Sequence, residues 1–195
     1  MGFFSALFRS GKPAVQNSFV RIPIFHETLA FPLPDAWSVE PVYRSIEGGT
    51  FILEFAGTGD TQEAWHDKLI VQAFNNANDD VDLNARKLLK MMQQEMASLD
   101  EEAFYSEELF SETVVSRQKL AVVMGLKRLP GDEAQAQFGL YMIIEGQHDI
   151  YIVQRAWKGR PDKQGFPVPR AALTAWLDDF KKITLSAIVP TAQEQ

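Results

Sequence analysis

Three runs of sequence decide the fold: residues 120–129 (LAVVMGLKRL), 138–146 (FGLYMIIEG) and 150–158 (IYIVQRAWK). Each is long enough for a strand and rich in β-branched and aromatic residues. The breaks between them, Pro130-Gly131-Asp132 with its polar sequel and Gly146-Gln147-His148-Asp149, read as turns. A parallel pair needs a crossover of a dozen or more residues, usually a helix, and none fits here. Consecutive strands joined by turns are therefore antiparallel. Residues 112–118 (ETVVSRQ) read as a fourth strand preceding the three.

On the N-terminal side of this meander lies the clearest helix signal. Val81, Ala85, Leu88, Met92, Met96 and Leu99 recur at steps of three and four, which makes one apolar stripe. Asp79, Asp80 and Asp82 fall at its start, where the helix dipole favours negative charge. A polar stretch follows to about Glu108. On the C-terminal side, a proline- and glycine-rich loop over 159–169 ends at Pro169, which suits the first turn of a helix. Leu173, Trp176, Leu177, Phe180 and Ile183 then give a buried face at helical spacing.

The first third is built of short alternating runs. Residues 19–25 (FVRIPIF) read as an extended edge piece, because Pro23 cannot donate to a central ladder. Residues 31–37 (FPLPDAW) read as a proline-fixed turn with an aromatic anchor, and 37–46 alternate loosely. Glu47-Gly48-Gly49 is a hairpin turn into a strand over 50–56 (TFILEFA). Asp60 followed by Glu63 predicts an N-cap and one helical turn over 61–66. Residues 68–74 (KLIVQAF) are a further strand. The expectation is one α+β domain over 19–189: an antiparallel β-sheet of six to seven strands packed with a long central helix and a C-terminal helix. Residues 1–18 and 190–195 are expected as tails.

Composition bounds the chemistry. Of 195 residues, 46% are hydrophobic and 23% charged, the balance of a folded chain. There is no cysteine, so disulfides, thiol catalysis, iron–sulfur clusters and thiolate zinc sites are excluded. The net charge of −7 argues against nucleic acid as a partner. That charge is local: residues 79–112 carry ten acids and three bases, while the remainder is balanced. Such a segment reads as a solvated helix and turn, or as a docking face for a basic partner centred on Asp100, Glu101 and Glu102. Phe3, Phe4 and Phe8 form an apolar N-terminal cluster before Arg9, too short for a secretory core or a membrane helix. It suits a partner groove, a membrane surface or the chain's own domain.

Motifs for catalysis are weak. Gly57-Thr58-Gly59-Asp60 follows a strand but lacks the third glycine and the helix of a dinucleotide loop. Asp80-Val81-Asp82 begins like a calcium loop, but Ala85 stands where the turn needs glycine and Met91 where the last ligand belongs. His26, His66 and His148 each precede an acid. None has a second histidine three or four residues away, so no local metal pair exists, and their convergence in space is not expected. Glu54 and Glu145 could pair across a cleft as acid and base, or simply face outward. Met91, Met92 and Met96 are core filling or an adaptable binding face. Arg155, Trp157 and Lys158, with Arg160 and Lys163, make a basic patch that could meet an acidic partner or the chain's own acidic segment.

Three pieces resemble the PsbP-like superfamily, which includes the DcrB lipoproteins and the Ran-release-factor group. Phe31-x-Leu33-Pro34-x-x-Trp37 looks like that family's entry motif. Trp65-x-x-x-Leu69-x-Val71-Gln72 resembles its central strand, and Tyr151-x-Val153-Gln154-Arg155-Ala156 its last strand. The resemblance covers roughly 20–185. It implies a binding fold with no catalytic residues to carry over, used by assembly factors, lipoproteins and effector-associated chaperones of type VI secretion. The chain departs from exported members in having no lipoprotein cysteine.

The functional expectation is a non-catalytic bacterial protein-binding module: an adaptor or chaperone-like subunit of a larger assembly, cytoplasmic or peripheral to the inner membrane. No cofactor and no metal is called for. A homodimer through open sheet edges is compatible with this reading. Two alternatives stand beside it: a small-molecule or lipid-binding module with its pocket between sheet and helix, and an enzyme using a His–carboxylate pair.

Overall fold

Period-two alternation along the meander settles the layering. In the computed structural model, which describes residues 19–35, 37–80 and 83–188, the strands β1 (Phe19–Ile24), β2 (Glu27–Pro32), β3 (Tyr43–Glu47), β4 (Thr50–Ala56) and β5 (Asp67–Phe74) come first. A single 3-10 turn at Ala77–Asp79 leads to α1 (Ala85–Leu99). Then follow β6 (Phe104–Val114), β7 (Arg117–Leu126), β8 (Ala136–Glu145), β9 (Ile150–Gly159), α2 (Arg170–Lys181) and β10 (Thr184–Ala187). Among the described residues, seven strands form one antiparallel sheet in the order β3-β4-β5-β9-β8-β7-β6, and β1-β2-β10 form a second.

The large sheet is buried on both faces at its centre. Phe138, Leu140, Met142 and Ile144 of β8 join Tyr151, Val153 and Trp157 of β9 in a core closed by the small sheet and α2. The alternate residues, Tyr141 and Ile143 of β8 with Ile150 and Ile152 of β9, face α1 through Ala85, Leu88 and Leu89. Burial on both faces is why β7–β9 read as near-continuous apolar runs rather than strict alternation. Phe31, Phe55, Phe138 and Phe180 are wholly buried, each contributing about 1.5–3 kcal/mol of transfer free energy. Gly125 sits where β7 and β8 approach most closely. A Cβ there would collide with the Gln137 carbonyl oxygen and the Phe138 backbone.

The expected α+β class and both helices stand, and the seven strands of the large sheet fall within the six to seven expected. Several local expectations do not. The helical turn over 61–66 is absent. Asp60 instead accepts from the backbone N–H groups of His66 and Asp67 and knots the loop into turns. Residues 112–118 are two strand ends around a tight turn at Val115-Ser116, and the polar stretch before Glu108 is the exposed edge strand β6. Its high polarity hid it, because one of its flanks has no neighbour in the sheet among the described residues. The long helix begins at Ala85 behind an Asn84 cap that accepts from Lys87 N at 2.9 Å. Asp79 lies outside that helix in the 3-10 turn, while Val81 and Asp82 lie outside the described residues. Leu99, read as part of the buried stripe, is 62% exposed. β2 and β10, and so the entire second sheet, were not expected. Two prolines follow β2's apolar core, and β10 is four residues long.

Candidate functional site

The tip of the β6–β7 hairpin breaks two rules at once. Val114 pairs with Arg117, leaving Val115-Ser116 as a two-residue loop with φ of +50° and +66°. Both central residues at positive φ is the type I′ pattern that Asn-Gly satisfies without cost. A β-branched residue is among the worst choices there. Val115 is also 88% exposed and Val114 58%. Beside the tip runs a groove of about 370 Å³ between the hairpin and β10, floored by Ile144 and walled by Val114, Ile183 and Leu185. Among the described residues β10 has a neighbour, β2, on one side only. The charged residues around the groove already have partners. Lys119 Nζ donates to the carbonyls of Lys181 and Ile183. Arg117 lies 3.6 Å from Glu27, and Glu145 accepts from Ala85 N and Gln118 N. What the groove offers is therefore apolar surface and strand backbone.

At the same end of the molecule, a polar network ties three turns together. Asp149 is fully buried and accepts from the backbone N–H of His26 and Asn76, from the Tyr151 hydroxyl and from His26 Nδ1. Burial works to raise its carboxyl, but the bonds from Asn76, His26 and Tyr151 together hold it below the ordinary carboxylate value. The Tyr151 hydroxyl is pushed up, by burial first and by Asp149 second. Glu145 uses its two oxygens on Ala85 N and Gln118 N, so it caps α1 from the sheet. Glu54 binds Lys68 at 2.8 Å. Glu145 is buried, Glu54 lies on the face of β4 away from the core residues Phe51, Leu53 and Phe55, and the two have separate partners rather than forming an acid–base pair.

All three histidines contact a carboxylate: His26 with Asp149, His66 with Asp60 and His148 with Asp79. His26 and His148 come together, with ring centroids 5.1 Å apart. That convergence was not expected. The two lie on different turns, brought into register by β1 meeting β2 and β8 meeting β9, and no local spacing signals it.

The basic patch divides between faces. Arg155 and Trp157 point to the α2 side, and Lys158 to the other. Arg155 makes a bidentate pair with Asp67 through Nε and Nη2 at 3.1 and 2.7 Å. Its guanidinium lies 3.9 Å from the Trp176 ring and 5.5 Å from Trp37. Trp157 is 3% exposed and stacks on Trp176 at 4.2 Å, and its Nε1 has no partner among the described residues. Lys158 is half-buried. The acidic face is largely met from within the chain by other bases. Arg128 binds Asp100 and Glu102, Arg86 binds Glu108, and Arg170 reaches Glu107. The Arg128 side-chain bonds hold Asp100 below its ordinary value. Glu101 is exposed. Phe3, Phe4 and Phe8 lie outside the described residues. Met92 and Met96 pack, partly buried, with Leu88 and Leu89 against the sheet. Met91 is exposed.

No protein-family model matches the sequence, and no curated protein matches it. Solved structures do match in shape. The solution structure of cyanobacterial PsbP (CyanoP) from Synechocystis sp. PCC 6803 aligns at TM-score 0.50 and 9% identity, covering 92% of this chain and 99% of that one. A point mutant of the protein Mog1 aligns at TM-score 0.51 and 11% identity, covering 85% and 95%. The Saccharomyces cerevisiae Ran-binding protein Mog1p aligns at TM-score 0.49 and 11% identity, covering 85% and 94%. At such identities the likeness is one of fold. Seven antiparallel strands with a helix on each face, matched over most of both chains, give this protein the PsbP-like fold to which the sequence resemblance pointed.

Proposed function

We propose that this chain is a non-catalytic protein-interaction module that holds an extended apolar segment of another protein against the β6–β7 tip and the groove beside β10. The observation that carries this is Val115, which is left-handed and 88% exposed. A residue that costs folding free energy in its backbone and gains almost nothing from burial has no structural reason to be there. Observed strain of this kind points to function. The groove supports an extended occupant because its charges are internally paired and, among the described residues, one edge of β10 presents strand backbone with no neighbouring strand. The finer role is that of an adaptor or chaperone-like subunit in a bacterial assembly, working in the cytoplasm or at the inner membrane surface. The acidic face at Asp100, Glu101 and Glu102 would then serve as a second contact for a basic region of the same partner.

The test is a photo-crosslinking amino acid placed at position 115 in the native cell, with position 133, on an exposed turn elsewhere, as control. The expected result is a discrete protein adduct at 115 and none at 133. Absence of any adduct at 115, or equal yields at both positions, refutes the assignment.

A further inference from the structure

We propose that His26 and His148 together bind one divalent transition-metal cation of the zinc, nickel or copper class. The rings come from two turns far apart in sequence, and their centroids lie 5.1 Å apart with planes tilted by 59°. Each ring is oriented in the same way. His26 Nδ1 lies 3.1 Å from both oxygens of Asp149, and His148 Nδ1 lies 3.0 Å from Asp79. A carboxylate only accepts, so in the neutral ring each Nδ1 carries the proton and each Nε2 carries the lone pair. This is the carboxylate–imidazole arrangement that fixes a histidine as a metal ligand through its other nitrogen. Among the described residues neither Nε2 has a hydrogen-bond partner. The side chains are 45% and 40% exposed, so water and ions reach them.

The support beneath the pair is stiff. His26 is held twice by Asp149, through its backbone N–H and its ring. Asp149 is itself buried and anchored by Asn76 and Tyr151. Phe25 beside His26 and Asn76 beside the 3-10 turn both sit at positive φ, +53° and +54°. His148 is held through Asn78, whose N–H donates to the His148 carbonyl at 2.8 Å. Asp149 and Asp79 hold the two rings, and Glu27, next to His26 in the chain, is paired with Arg117, so the local balance favours a cation.

The donor set selects the ion. Two imidazole nitrogens and no assembled third protein ligand among the described residues leave the other coordination positions to water or to a donor from a partner. Imidazole suits zinc, nickel and copper and not calcium or magnesium, and affinity rises along the series to copper. The site is open, so the metal exchanges with solution and could accept a ligand from a bound protein.

The test is titration of the full chain with Zn²⁺ and with Ni²⁺, read by calorimetry and by NMR of the histidine Cε1–H signals, with Mg²⁺ as control. One site per chain is expected, with the His26 and His148 signals shifting together and His66 unmoved. His148→Gln and His26→Gln should each weaken binding at least tenfold. His66→Gln, which removes a histidine with the same kind of carboxylate partner, should leave it unchanged. Circular dichroism of each variant separates loss of the site from loss of the fold, and His148→Gln, altered only at a partly exposed turn, is the decisive one. Undiminished binding in folded His148→Gln, no binding to the unaltered chain, or an equal loss in His66→Gln overturns the proposal.

Discussion

Replacing Val115-Ser116 by Asn-Gly (V115N with S116G) should make this protein more stable and less able to bind. Val115 and Ser116 hold φ at +50° and +66°. The left-handed region costs an ordinary L-residue about 1–2 kcal/mol, and most for a β-branched one. Asparagine tolerates it and glycine adopts it freely. Against this stands the lost burial of Val115, which at 88% exposure amounts to a few tenths of a kcal/mol. The balance is a gain of about 1–2 kcal/mol. For a chain of this length each kcal/mol moves Tm by about 2–4 °C, so the midpoint should rise by roughly 2–8 °C. Urea unfolding followed by tryptophan fluorescence reads the same change as a shift in midpoint at constant slope. An unchanged or lower midpoint would refute the claim that the turn is strained. A stabilised variant that still gives the full adduct yield from a crosslinker at Arg117 would refute the claim that the strain serves binding.

Other perturbations follow from the same contacts. Asp149→Asn places an amide hydrogen among four donors and should cost about 2–3 kcal/mol in denaturant titration. Because the Asp149 carboxyl is held below its ordinary value, its stabilisation is present above about pH 4 and drains away as pH falls through the folded value. The wild-type stability curve should therefore steepen below about pH 4, and the asparagine variant should be flatter there. Gly125→Ala forces a Cβ into the Gln137 carbonyl and the Phe138 backbone, and about 3 kcal/mol of destabilisation is expected by thermal melting. Trp176→Ala removes the stacked partner of Trp157 and the ring beneath Arg155, and should cost about 2–3 kcal/mol with loss of near-ultraviolet dichroism. A dichroism spectrum unchanged from wild type would show that the stack does not form.

The strands of the meander could be read because each carries its own evidence. Sheet-centre strands buried on both faces are apolar throughout, and the turns between them hold glycine, proline or aspartate. The two helices announced themselves by period, and the closing helix placed Leu173 and Phe180 inward as its spacing required. Edge elements carried no such signal. β6 faces solvent along much of its length, so its residues are chosen for solubility and look like loop. The turn over 61–66 looked like a helix start because Asp60 is a capping residue, but its carboxylate serves loop N–H groups instead.

The sequence by itself determined the class, the antiparallel meander, both helices and the exclusion of thiol chemistry, since these rest on local periodicity and composition. Tertiary structure alone decided the second sheet, because β2 and β10 are far apart in sequence and meet only by pairing in space. It alone paired part of the acidic segment, with Arg128 and Arg170 reaching Asp100, Glu102 and Glu107 from beyond it while Glu101 stays exposed. It also separated Arg155 from Lys158, because residues an odd number of steps apart along a strand point to opposite faces. His26 and His148 were brought together in the same way, by strand pairing. Contacts between distant positions leave no trace in spacing, and in a protein built as strands most of the functional geometry is of that kind.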